Sequence, residues 1–347
     1  MKNILNYDVI DLEKYMQSKG EKKFRANQVF RWISKGINTF EEMSDVSKEL
    51  VFKLESDFFI GLPASIICQK SKIDETVKVL FELPEPDLRL QPGRVESVFM
   101  KYKYGNTICI SSQLGCRMGC KFCASTKKGL IKNLEAGDMY GQVLKMNEIT
   151  KERINHIVIM GIGEPFDNYE EVSKFIKIIN NSTGYNIGMR NITVSTCGIV
   201  PYIEKFSIDF PQVNLAISLH APNDVIRERI MPIARRYSYQ ELLYACKKYT
   251  EKTHRRITFE YALINGVNDS KEAALELASK LKGMLCHVNL IPLNSVENTG
   301  LSSSNKESIE TFQKILENSY IPVTVRRRLG SDIDAACGQL RIKNDGD

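Results

Sequence analysis

From residue 107 onward, short apolar runs rich in β-branched residues recur at spacings too wide for hairpins. They fall at Thr107–Ser112, His156–Met160, Ile192–Ser195, Asn214–Leu219, Ile257–Leu263, His287–Ile291 and Val323–Val325. Roughly 20 to 40 residues separate successive runs, which is room for a helix in each gap, as at Val172–Asn180 and Ser270–Leu281. Strands joined by helical crossovers run parallel, so the fold class is α/β, either an open doubly wound sheet or a barrel. In both, reactive residues gather just past the C-terminal ends of the strands. The residues at those positions are Cys116, Gly163 with Glu164, Ser195, His220 and Asn294.

The region before 107 follows different periods. Ala26, Val29, Phe30 and Ile33 recur at i, i+3, i+4 and i+7, one buried helix face, and Leu50, Val51, Leu54 and Phe58 suggest another. Residues 1–62 therefore read as a small helical accessory domain, closed by Gly61-Leu62-Pro63. Residues 63–106 form a β-rich extension, with strands over Val77–Leu83 and Val95–Ile110, the second broken by a hairpin turn at Gly105-Asn106. Pro84, Pro86, Pro92 and Gly93 mark a long loop between them. A simple register around that turn sets Tyr102 opposite Cys109. The α/β unit spans 107–340, and 341–347 is a tail.

At 347 residues and 43% hydrophobic content the chain can bury a substantial core. No window approaches about 18 consecutive apolar residues, and the start turns polar too early for a secretory leader. Both features point to a cytoplasmic protein with no membrane partner. The net charge of +6 is concentrated in short basic clusters, Lys127-Lys128, Arg235-Arg236, Arg255-Arg256 and Arg326-Arg327-Arg328. Each could be ordinary solvated surface; convergence on one face would make a phosphate-binding surface. The segment Ser125–Lys132 is the best single candidate for an RNA contact.

Cys116, Cys120 and Cys123 form a C-x3-C-x2-C triad just after the first of the seven runs. Three thiolates so close together can grip one side of a cubane iron–sulfur cluster and leave one iron without a protein ligand, open for chemistry. Gly119 would let the loop bend tightly around it. Structural zinc is the main rival, but it wants four closed ligands, and only Cys109 offers itself as a fourth. Nine cysteines is an odd number, and without a secretory leader a disulfide framework is the weaker reading.

The triad, with Phe122 before its last cysteine and a βα series behind it, resembles the radical-SAM superfamily. There the open iron chelates S-adenosylmethionine (SAM), and one electron splits SAM into methionine and a 5′-deoxyadenosyl radical. Six further segments narrow the likeness: Ile110–Cys116, Met160–Pro165, Ser195–Gly198, Ile217–Asp224, His287–Pro292 and Asp332–Leu340. In that order they resemble the RlmN/Cfr family of RNA methyltransferases over essentially the whole chain. The resemblance implies a partial (βα)6 radical-SAM barrel carrying the small N-terminal helical domain and the β-rich extension. It implies a [4Fe-4S] cluster on the triad and SAM bound by Gly163, Glu164, Ser195, Ser218, Leu219, His220 and Asn294. It also implies that Cys337 receives a methyl group, that Cys109 is its partner thiol, and that Glu96 is the proton acceptor.

The same resemblance implies methylation of adenosine C2 in 23S rRNA and in tRNA. It further implies two SAM molecules per turnover, an external one-electron donor for the cleavage of SAM, and a thiol reductant that reopens a transient Cys109–Cys337 disulfide. Gly163-Glu164-Pro165 is similar to the RlmN branch, whereas the Cfr branch acts at adenine C8. From the residues alone, other readings stand beside these. Gly161 and Gly163 could simply form a strand-end turn, His220 could be a bonded core histidine, and Cys109 and Cys337 could be inert buried thiols. Cys68, Cys246 and Cys286 read as core residues and Cys197 as structural. Two rival functions are a radical-SAM enzyme with a non-RNA substrate and a zinc-stabilised RNA-binding module.

Overall fold

A computed structural model describes residues 1–85, 92–293, 300–327, 329–330 and 332–333. The chain opens with a short strand, β1 (Lys2–Asn3), and three helices, α1 (Val9–Ser18), α2 (Phe24–Ser34) and α3 (Lys48–Asp57). Ala26, Val29, Phe30 and Ile33 of α2 are all buried, as their spacing requires. Ser47 starts α3 by accepting the Leu50 N–H. Leu50 and Leu54 face inward, but Phe58 lies beyond the helix, in β2 (Phe58–Phe59), which pairs with β1. These helices share one continuous apolar core with the rest of the chain.

Next come β3 (Ala64–Lys70), β4 (Val77–Glu82), β5 (Arg94–Tyr102) and β6 (Gly105–Ile110), an antiparallel meander. A small separate pair follows, β7 (Gln113–Gly115) with β8 (Leu130–Asn133). Six βα units begin at β6, the first crossover being α4 (Ala136–Thr150) into β9 (His156–Ile159). The series continues through α5 (Tyr169–Asn180), β10 (Ile192–Thr196), α6 (Val200–Asp209) and β11 (Asn214–Ser218). Two helices, α7 (Asp224–Ile230) and α8 (Tyr239–Thr253), then lead to β12 (Ile257–Leu263). The last units are α9 (Lys271–Leu281), β13 (Cys286–Pro292), α10 (Lys306–Asn318) and β14 (Val323–Val325).

The main sheet runs β14-β13-β12-β11-β10-β9-β6-β5-β4-β3, and every pairing from β6 to β14 is parallel. All seven expected parallel strands are present, and among the described residues the sheet stays open, so the barrel is partial. The β-rich extension continues this same sheet outward from β6, so residue 106 lies inside the β5–β6 hairpin.

The hairpin turn differs from the sequence expectation. Tyr102 pairs with Gly105, which puts the turn at Lys103-Tyr104 and sets Val98, not Tyr102, opposite Cys109. Gly105 (φ +136°) sits where a Cβ would come within 3.1 Å of Asn155. Asn106 is occupied elsewhere: its side chain donates to Arg153 O (2.9 Å) and its N–H to Asn155 Oδ1 (3.0 Å). Contacts to the loop before β9 thus override local turn preference. Cys68 is also corrected. It is exposed, because β3 is the outer strand of the sheet and most of its residues are only partly covered.

Candidate active site

Registers decide which side chains share the inner face of the sheet. Directly paired residues point the same way, and successive residues alternate. Cys109 pairs with Val158 and Val158 with Thr193, so two residues further along Met160 and Ser195 share that face. Ser195 pairs with Ala216, and Ser218 with Glu260. A cavity of about 280 Å³ opens over this face at the strands' C-terminal ends, near the lower limit of small-molecule pockets. Its walls include Cys116, Cys120, Cys123, Gly163, Glu164, Ser195, Ser218 and His220.

The cysteine loop reaches the cavity by bending at Gly119 (φ +69°) and docking on α7, where Lys121 N–H donates to Ile230 O (2.9 Å). Burial pushes the Cys116 thiol up to about 12 and raises Cys120 further. As bare thiols these groups stay protonated, and a bound metal's charge is what converts buried thiols to ligands. Among the described residues no three His, Cys, Asp or Glu side chains converge as ligands of a single ion do. Three thiols lining one cavity walled by Met118, Phe122 and Leu293 suit a multi-iron cluster better than a closed zinc cage.

Gly163 (φ +116°) is required sterically: a Cβ there would lie 2.7 Å from Gln113 Cβ and 2.8 Å from Ser112 Oγ. The tight turn delivers Glu164, whose N–H donates to Gln113 Oε1 (2.8 Å). The buried carboxylate accepts from Phe166 N–H (2.9 Å) and Cys197 N–H (2.7 Å), tying the ends of β9 and β10 together. Burial raises its proton affinity, and those main-chain donors oppose the rise. Gly161 and Gly163 thus make a strand-end turn and also build the cavity wall.

His220 (φ +56°) is both a bonded core histidine and a wall of the site. Its Nδ1 accepts the Ala262 N–H (2.8 Å), its ring meets Phe122 edge-on at 4.8 Å, and burial, aided by Arg227, drives its pKa down to about 3. The imidazole is therefore neutral, with the second nitrogen left as the N–H. Leu219 has no exposed surface and is not among the cavity's walls; its N–H donates to Glu260 O (3.1 Å). Cys197 lines the cavity, while Cys246 and Cys286 are buried core thiols. Asn294 and Cys337 lie outside the described residues.

With Val98 opposite Cys109, Glu96 lies two residues back on the same face, a diagonal neighbour of Cys109. Both are buried. Gln142 on α4 fixes this junction, accepting from Ser97 Oγ (2.9 Å) and Ser111 N–H (2.9 Å), and Ser111 Oγ donates to Glu96 O (2.8 Å). The Glu96 carboxylate pairs with Lys78 Nζ at 2.9 Å, and Lys78 is fully buried. Lys78→Met leaves a buried carboxylate without its cation, so an unfolding free energy lower by about 3 to 5 kcal/mol is expected in urea titrations. A loss under about 1 kcal/mol would contradict a dry ion pair.

Three residues that shape the site escaped the sequence reading: Lys78, Arg227 and Glu260. Charged residues inside the apolar runs Val77–Leu83 and Ile257–Leu263 were the available signal for the first and last. Glu260 lines the cavity and accepts from Asn289 Nδ2 (2.9 Å); burial raises its proton affinity against Arg326 and Asn289.

Residues 110–278 match the radical SAM superfamily, and residues 2–60 match the ribosomal RNA large subunit methyltransferase N-terminal domain. A probable dual-specificity RNA methyltransferase RlmN from Clostridium perfringens (strain SM101 / Type A) is 52% identical, covering 100% of this chain and 99% of its own. The chain belongs to the RlmN family of radical-SAM RNA methyltransferases. A relative of the same description from Caldanaerobacter subterraneus subsp. tengcongensis is also 52% identical, over 99% of this chain and 98% of its own. The crystal structure of a radical SAM methyltransferase from Sphaerobacter thermophilus superposes with a TM-score of 0.90 at 39% identity, covering 98% of this chain and 99% of that one. Membership of this family makes the chain a SAM-dependent enzyme with a [4Fe-4S] cluster. Among the described residues no helix is long and apolar enough to cross a membrane.

Proposed function

We propose that this RlmN-family enzyme methylates C2 of adenosine in 23S rRNA and in tRNA. The observation carrying the proposal is the placement of Glu96 beside Cys109 on the cavity-facing side of the sheet. A ring carbon of adenine is not nucleophilic enough to take a methyl group from SAM by simple displacement. A thiolate is. Cys337 therefore takes the methyl group from one SAM molecule and presents it to the base. When bound, the cluster and a second SAM supply a one-electron cleavage that removes a hydrogen atom from that methyl group.

The sulfur-borne carbon joins the ring, and Glu96 accepts the ring proton. Cys109 then attacks the Cys337 sulfur, so that the carbon leaves with the base and takes up a proton to become methyl, the two sulfurs become a disulfide, and the unpaired electron left by the radical addition would return to the cluster. A thiol reductant reopens that bond, and an external donor supplies the electron. Such a transient catalytic disulfide suits a cytoplasmic protein. The dual-specificity description of the relatives supports two classes of RNA substrate, and the N-terminal match to large-subunit rRNA methyltransferases supports 23S rRNA as one. Gly163-Glu164-Pro165 supports C2 over C8.

Residues from three of the four basic clusters lie at the cavity end of the barrel. Lys127-Lys128 follow the cysteine loop, Arg235-Arg236 follow α7, and Arg326 lines the cavity just after β14. Arg255-Arg256 precede β12 and sit at the opposite end, where Arg255 donates to Asn214 Oδ1. Reversing Lys127, Lys128, Arg235 and Arg236 to Glu is expected to weaken RNA binding and lower the salt slope by about one unit per lost phosphate contact, whereas reversing Arg255 and Arg256 leaves both unchanged. Filter binding across a salt series reads this, and equal effects from the two ends would refute a cavity-end RNA surface.

The direct test is an anaerobic assay with SAM and reductant on 23S rRNA fragments and tRNA, followed by nucleoside mass spectrometry. The proposal expects 2-methyladenosine in both. 8-Methyladenosine in its place would assign the enzyme to the Cfr-type reaction.

A further inference from the structure

Arg227 on α7 has no exposed surface. Its guanidinium donates through Nε to Leu219 O (3.2 Å), and through Nη2 to Cys197 O (2.6 Å) and Ser218 O (3.4 Å). Nη1 is buried and reaches no acceptor. No carboxylate among the described residues pairs with it; Glu164 spends its oxygens on main-chain N–H groups. An arginine stays charged at any working pH, and a desolvated cation without an anion is costly to keep. The titratable groups around it are the Cys197, Cys120 and Cys246 thiols, the Tyr239 hydroxyl and the His220 imidazole. Burial works against the charge, while Cys197 and Cys120 favour it. The cysteine loop is docked on the same helix, through Lys121 N–H to Ile230 O.

An anion beside it would offset this cost in the working protein. Thiolate ligation leaves an iron–sulfur cluster anionic, and each added electron makes it more so. We propose that Arg227 is the built-in counter-cation of the cluster, favouring its thiolate-bound, one-electron-reduced state while bracing the ends of β10 and β11. It is a positioning and tuning residue rather than a catalytic one. The proposal rests on the cluster assignment and is independent of the RNA target.

Two variants separate charge from bracing. Arg227→Gln removes the charge but keeps a donor for the strand-end carbonyls, whereas Arg227→Lys keeps the charge and loses the fork. Full-length wild type, R227Q and R227K are reconstituted anaerobically and titrated with dithionite through redox mediators. The reduced cluster is followed by electron paramagnetic resonance, and the melting of each cluster-free protein is recorded alongside. R227Q is expected to show at least a tenfold lower reduced-to-oxidised ratio at a fixed potential, about 59 mV for a one-electron couple. R227K should stay within threefold of wild type although its melting temperature falls.

A wild-type potential in R227Q overturns the proposal, as do parallel shifts in R227Q and R227K that track their stability. Weakened SAM binding with unchanged potential also overturns it, by making Arg227 a ligand contact. Where R227Q retains no cluster, R227K decides: wild-type iron content and potential support the proposal, and their loss overturns it. A wild-type protein that holds no iron or sulfide sinks the cluster assignment first, and this proposal with it.

Discussion

Cys109→Ala is expected to turn a catalyst into a trap. Without the resolving thiol, the Cys337 sulfur keeps the carbon it has joined to the base, so protein recovered after turnover should carry covalently bound nucleotide. Release of methylated RNA should fall by about 10³-fold or more. Unfolding does not explain such a loss. Cys109 is buried within the sheet, between β5 and β9, and exchanging one sulfur atom for hydrogen there costs about 1 kcal/mol, a small part of a domain's stability. Mass spectrometry of nuclease-digested protein detects the adduct, and the double variant lacking Cys337 as well should show none. Free protein together with normal product from Cys109→Ala would remove Cys109 from the mechanism.

The second large effect is at the triad. Cys120→Ala should lower bound iron from about four atoms per chain to nearly none, because two remaining thiolates cannot hold a cubane. The chain itself should stay folded. Cys120 belongs to a small cluster with Cys197, Ile230 and Met231, separate from the main core built by the helices and the sheet. Iron and sulfide analysis, the visible absorbance and a melting curve of the same sample test this together. Retention of the cluster would mean that Cys197 or another thiol had replaced Cys120. Loss of the fold together with the cluster would mean that the loop is part of the core.

The parallel strands were legible because each is a short apolar, β-branched run and the crossovers leave gaps of helical length. The cysteine triad was legible because its ligands are local in sequence. What the pattern could not give was set by contacts distant in the chain. The turn at Lys103-Tyr104 is imposed by Asn155 and His156 pressing on Gly105, so local preference for Gly-Asn misled the register by several residues. That shift hid the neighbourhood of Glu96 and Cys109. Arg227 sits in a segment where a cation normally means surface, and only the fold turns it inward. Cys68 erred in the opposite sense: an apolar strand pattern says nothing of whether a strand lies at the edge of its sheet.

Cleavage of SAM by the reduced protein is the most direct test of the account. Anaerobically reconstituted wild type, given one-electron reductant and SAM, should release 5′-deoxyadenosine in an amount at least equal to its cluster content. A protein carrying its full iron and sulfide that yields none would contradict the radical chemistry on which every assigned residue depends.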